Sequence, residues 1–251
     1  MPRKRDDKLA EYWVVLILIA AFAHAAWNLM LKRSKNKRIF LWAQRLWAVI
    51  IFLPIAVISP ASIPFSWQWI FWGLGSTLLH AIYSLLLVKM YNKSAFSFAY
   101  PTGPLLVVIA GWSILGEKIS FLQLTGVLSI ILGIQLIYAQ AGPVFRKTTI
   151  KAIMNNPWSL LVGVSTASYT IFDKNAVAHL PALWLSVLEN IGQVIVLGVI
   201  IWRENRAEIP VQWRADWRKM ALAGFLVGLA YLLVLQVLTV IPVSYVSPVR
   251  E

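Results

Sequence analysis

Arg45 and Glu189 are ionisable residues set well inside two long apolar runs of this chain, Phe40 to Ile58 and Leu183 to Trp202. An ionised side chain at the centre of a hydrocarbon layer costs roughly 2.5 to 3.5 kcal/mol on insertion scales, so each requires a partner or a polar cavity. Their opposite charges suit an ion pair, or the two ends of a zwitterionic ligand. A fixed salt bridge that only orients helices uses the same residues in the same way. Glu189 by itself also offers a group that could take up a proton and couple it to transport.

Softer polar groups lie in other apolar runs. His24 and Asn28 are four apart and share one helix face, as do Thr166 and Thr170. His80 with Tyr83, and Tyr231 with Gln236, are further candidates of this kind. Such stripes can line a cavity for a polar solute, or hydrogen-bond one packed helix to another.

Other chemistry is excluded by what the chain lacks. There are no cysteines, so disulfides, thiolate nucleophiles and cysteine metal sites are ruled out. The three histidines have no zinc-protease spacing, so no metal and no other cofactor is expected. No Gly-rich phosphate loop and no Ser/His/Asp set falls in a usable frame, which argues against an ATP-driven pump and against an enzyme.

The elements that must position these residues are membrane helices. Hydrophobic residues make up 59% of 251 positions and charged residues 13%, more apolar surface than a water-soluble core can absorb. The apolar residues come in runs of about 20, the length a helix needs to cross hydrocarbon. Hydropathy predicts eight full spans: Tyr12 to Leu31, Phe40 to Ile58, Trp67 to Val88, Ser94 to Leu115, Phe121 to Tyr138, Trp158 to Phe172, Leu183 to Trp202 and Met220 to Leu238. A ninth is begun. The long connections are Ala139 to Pro157 and Arg203 to Lys219, leaving no room for a soluble catalytic domain. The net charge of +13 sits between the runs, where Lys and Arg meet anionic lipid, so the expected partner is membrane lipid and not nucleic acid. Small residues around His24 resemble a signal-peptidase site, but the run continues apolar to Leu31, which favours a retained first span.

The chain repeats itself. His24-Ala25-Ala26-Trp27-Asn28-Leu29-Met30-Leu31-Lys32 aligns with Thr166-Ala167-Ser168-Tyr169-Thr170-Ile171-Phe172-Asp173-Lys174, 142 residues later. Leu41 to Arg45 aligns with Leu185 to Glu189, which makes Arg45 and Glu189 equivalent, and Phe98 to Thr102 aligns with Tyr245 to Val249. Five spans per unit is odd, so the second unit enters the membrane from the opposite side. The expected organisation is a first five-helix unit over 1–140, a linker over 141–157, and an incomplete second unit over 158–251. The counterpart of Tyr138 would fall at about position 285, so two more spans are expected beyond Glu251.

With Ala26-Trp27-Asn28 and Lys32 in span one, Tyr100-Pro101 opening span four, Gly116-Glu117-Lys118 closing it, and Leu124 to Gly133 in span five, the chain resembles the drug/metabolite transporter superfamily, EamA-domain type. The resemblance implies an all-α polytopic membrane protein of ten spans in inverted five-helix repeats, with a central cavity. It implies export or uptake of a small metabolite across the bacterial inner membrane. The four-span multidrug members use a first-span glutamate for proton coupling. Here that span offers only His24 and Asn28, so their mechanism does not carry over.

The reading is thus a secondary transporter of a small polar or zwitterionic metabolite. The alternatives are a non-transporting subunit, with a homodimer or partner helices replacing absent C-terminal spans, and an inactive fragment. Lys and Arg are concentrated in the loops after spans one, three, five and seven, which places the N-terminus outside, whereas the resemblance places it inside.

Overall fold

The structure, a computed structural model, describes residues 3–60, 66–93, 102–121, 124–129, 132–133, 157–204 and 206–250. Among these the chain forms α1 (Arg3–Arg33), α2 (Lys37–Ile58), α3 (Trp67–Lys93), α4 (Thr102–Leu115), α5 (Pro157–Ala176), α6 (Ala182–Glu204), a 3-10 turn (Arg206–Glu208), α7 (Ile209–Leu238) and α8 (Val243–Arg250). Residues 124–129 are also helical. The linker at 141–156, the Tyr100-Pro101 opening of span four and half of span five lie outside the described residues.

Helix ends follow local chemistry. Asn36 caps α2, its side-chain oxygen accepting from the backbone N–H of Arg38 at 3.1 Å and of Ile39 at 3.3 Å. α4 stops at Gly116, whose φ of +65° a side chain would resist. Pro157 opens α5 and Pro210 sits in the first turn of α7, where a missing N–H does no harm. Glu117, just past α4, turns toward α8. Its carboxylate accepts from the N–H groups of Val243 at 2.8 Å and Ser244 at 3.0 Å, capping α8. Lys174 holds the preceding helix end, donating to the carbonyls of Leu238 at 2.6 Å and Ile241 at 3.1 Å.

The protein is an all-α polytopic membrane protein. Among the described residues five helices are long and apolar enough to cross a membrane: those containing Tyr12–Arg33, Lys37–Ile58, Trp67–Tyr91, Ala182–Glu204 and Arg206–Leu238. α4 is apolar but shorter. α5 runs four residues past the predicted end at Phe172, carrying Asp173 and Lys174 into the bundle. The predicted connection Arg203 to Lys219 is a correction: only the turn up to Glu208 connects, and α7 begins at Ile209. Its first three turns are too polar for a hydropathy window to join to the span, yet they are anchored by Trp213, which stacks on Trp47 of α2 at 6.1 Å.

The helices pack as a closed ring in the order α1, α7, α2, α6, α3, α5, α4, α8 and back to α1. Helices adjacent in sequence, such as α1 and α2 or α2 and α3, barely touch, so the two halves of the chain interleave. Exchanging α1 with α5, α2 with α6, α3 with α7 and α4 with α8 maps this order of neighbours onto itself. That exchange leaves the α2/α6 contact and the α4/α8 contact in place. Small residues allow the close crossings: a Cβ on Gly192 of α6 would collide with Thr77 of α3, and one on Gly224 of α7 with Trp47 and the Gln44 backbone of α2.

Large apolar side chains such as Phe22, Leu74, Trp112 and Ile195 point outward, as a lipid solvent demands. Polar and charged groups, among them Gln44, Arg45, His80, Asp173, Glu189 and Gln193, are buried inside the ring.

Candidate functional site

Residues at equivalent repeat positions on the neighbouring helices α2 and α6 can face each other. Arg45 of α2 and Glu189 of α6 do so, with Arg45 Nη1 3.6 Å from Glu189 Oε1; they are 4% and 0% exposed. Arg45 Nη1 also donates to Asn190 Oδ1 at 3.2 Å, and its guanidinium lies 6.0 Å from the Trp27 ring of α1. Gln193 donates to Glu189 Oε1 and accepts from Ser84 of α3 at 2.5 Å.

His80 of α3 links this pair to a second carboxylate. Its Nδ1 is 3.3 Å from Glu189 Oε1, and its Nε2 is 2.9 Å from Oδ2 of Asp173 on α5. Asp173 accepts two further bonds, from Ser76 Oγ at 2.7 Å and from the Tyr231 hydroxyl of α7 at 2.8 Å. The His80 ring is 4.1 Å from the ring of Tyr169 and 4.9 Å from that of Tyr231. Tyr169 in turn accepts from Arg250 of α8 at 3.1 Å. One buried network therefore joins α2, α3, α5, α6, α7 and α8.

A cavity lies against this network. Trp27, Tyr83, Tyr169 and Tyr231 form its aromatic walls, and Val227, Ala230 and Val234 of α7 its apolar side. His24, Arg45, His80 and Arg250 bring cationic or basic groups to it. Its volume is about 40 Å³, room for water and not for a metabolite. The lining offers aromatic faces and guanidinium donors, with carboxylates one layer behind.

Of the residues expected from sequence, Arg45, His24, His80, Tyr83 and Tyr231 line the cavity, and Glu189 stands behind Arg45. Asn28 is buried next to it but bonds neighbouring elements, accepting from the Tyr91 hydroxyl of α3 at 2.9 Å and donating to the His24 carbonyl at 3.1 Å. Three others lie away from the cavity. Thr166 packs against Gly103 of α4, and Thr170 is buried but does not border the cavity. Gln236 is exposed on the outer side of α7, because five residues beyond Tyr231 is well over a third of a turn away on a helix.

The sequence reading missed Asp173, Tyr169, Trp27 and Arg250 as site residues. Asp173 had a signal, an acidic residue in the repeat segment, but it sat just past the hydropathic end of its span. Trp27 and Tyr169 occupy equivalent repeat positions, a pairing that marks two walls of one cavity.

A sequence model described as the EamA-like transporter family matches the chain in two stretches, residues 11–139 and 154–251. No curated protein matches it.

Proposed function

The chain belongs to the EamA-like transporter family, and on that premise we propose that it is a secondary transporter carrying a small polar or zwitterionic metabolite across the bacterial inner membrane. The observation that carries this reading is the occluded cavity between the two interleaved halves, with Arg45 on its wall and Glu189 directly behind. A zwitterion's carboxylate would face the Arg45 guanidinium, the geometry that guanidinium favours. Its ammonium would face the aromatic walls, whose ring faces attract cations. The ring's two-fold exchange and the two matched stretches support two equivalent units, 1–140 and 158–251 around a linker, rocking about a central site.

Counterflow into proteoliposomes tests the proposal. Labelled zwitterionic amino acids should accumulate against an unlabelled internal pool, and Arg45→Met should lower the initial rate by about tenfold or more, the loss of one favourable charged contact. Counterflow of organic cations alone would overturn the substrate class. Failure of zwitterions, anions and cations alike, with a folded monodisperse protein, would overturn the transport reading.

A further inference from the structure

We infer that Asp173, His80 and Glu189 form a single proton-binding site, and that a proton is the ion coupled to transport. The coupling half rests on the transport reading above; the proton site does not.

A neutral imidazole has one N–H and one lone pair. Both nitrogens of His80 face carboxylate oxygens, Nε2 at 2.9 Å to Asp173 and Nδ1 at 3.3 Å to Glu189. If His80 were neutral and both acids ionised, one nitrogen lone pair would point at a carboxylate in a water-poor interior. That contact is repulsive and strong where the dielectric is low. Both contacts become attractive when the three groups together hold one additional proton.

The surroundings decide where that proton rests. From α2, Arg45 lies 3.6 Å from the same Glu189 Oε1, a positive charge facing that carboxylate. From α7, Tyr231 donates to Asp173, and from α3 itself so does Ser76. From α5, Tyr169 lies against the imidazole with its hydroxyl accepting from Arg250 of α8. On α6, the Gln193 amide donates to Glu189. Each of these partners of the two carboxylates is a donor or a cation, so the geometry puts the proton on the ring. His80 is then an imidazolium between two carboxylates, and with Arg45 the four charges cancel.

The geometry is that of a proton site and not of a metal site. The imidazole stands between the acids, so the three groups do not converge on one point, and no metal-holding group of His, Asp and Glu occurs among the described residues. The three groups come from α3, α5 and α6. Holding the proton ties α3 to both neighbours. Releasing it to water replaces one attraction with a repulsion at the α3/α5 or α3/α6 contact, both of which connect one half of the chain to the other. A proton at His80 thereby biases the two halves toward the occluded packing.

The sequence contains three histidines, so a His24→Gln/His179→Gln background leaves His80 as the only imidazole in the full-length chain. In lipid nanodiscs with ring ¹⁵N-labelled histidine, nitrogen chemical shifts should report two N–H groups at neutral pH and lose one as pH rises. In Asp173→Asn or Glu189→Gln that loss should come about one pH unit or more lower, because each substitution removes a negative charge beside the ring. A single neutral tautomer throughout the parent titration would overturn the site, and the parent alone decides this if a variant fails to fold. A transition that both variants leave in place would overturn it too. The titration uses no transported solute. A titrating His80 in a chain without counterflow would sink the transport reading and leave the site standing. Counterflow that an imposed pH gradient fails to concentrate would sink the coupling alone.

Discussion

Arg45 and Glu189, 144 residues apart, meet at 3.6 Å where α2 and α6 pack together. Removing one partner leaves the other charged in a buried site, at a cost of about 3 to 5 kcal/mol, whereas removing both leaves no orphan charge. Arg45→Met and Glu189→Gln should each lower the melting temperature of the purified protein sharply, and the double variant should be the more stable than either. Additive losses in this cycle would show that the two side chains do not interact.

Asp173 has three hydrogen-bond partners: Ser76, Tyr231 and His80. Tyr231→Phe deletes one of them and no more, so it should cost about 1 to 3 kcal/mol, since the acceptor is charged and buried. Asp173→Ala should cost more, stranding a hydroxyl on α3 and another on α7. Chemical unfolding followed by tryptophan fluorescence gives both values, and equal losses would mean that Asp173 is not the hub of the network.

The α7/α8 turn is clamped from the segment just past α4 and from α5. Glu117 caps α8 through Val243 and Ser244, while Lys174 binds the carbonyls of Leu238 and Ile241. Loss of a helix cap is worth about 0.5 to 2 kcal/mol. Glu117→Ala should therefore speed amide exchange across 243–250 several-fold in hydrogen–deuterium mass spectrometry while α2 and α6 exchange unchanged. Unaltered protection at 243–250 would mean that the turn is held by packing alone.

Gly192 lets α6 approach α3 at Thr77. Gly192→Ala should destabilise by about 1 to 3 kcal/mol through overpacking. Adding Thr77→Ala should recover most of it, because the clash is with that one side chain. A double variant as unstable as Gly192→Ala would place the strain in the α6 backbone instead.

Much of the molecule was legible from the sequence, for physical reasons that act locally. Twenty-residue apolar runs require helices in a bilayer whatever their neighbours, so α2, α3 and α6 could be placed within about five residues, while α1 begins well before the predicted Tyr12. A charge inside such a run demands a partner, and the repeat alignment put Arg45 and Glu189 at equivalent positions, which is why their meeting could be anticipated. Hydropathy was weakest where polar residues pack on protein instead of lipid. It cut α5 before Asp173 and left the first turns of α7 as a loop, because a windowed average cannot see that Trp213 has Trp47 to lie against.

Tertiary structure decided the rest. Sequence spacing placed Tyr231 and Gln236 on one helix, but only the packing of α7 against α1 and α2 turned Tyr231 inward and Gln236 out. His80 read as one polar residue among several until α5 and α6 set a carboxylate at each of its nitrogens. The sequence determined that charges must be buried and that the two halves are alike. Which buried charges touch is a property of the ring, because those contacts span 93 residues for His80 and Asp173 to 144 for Arg45 and Glu189 (189 − 45), and arise only when helices distant in sequence close side by side.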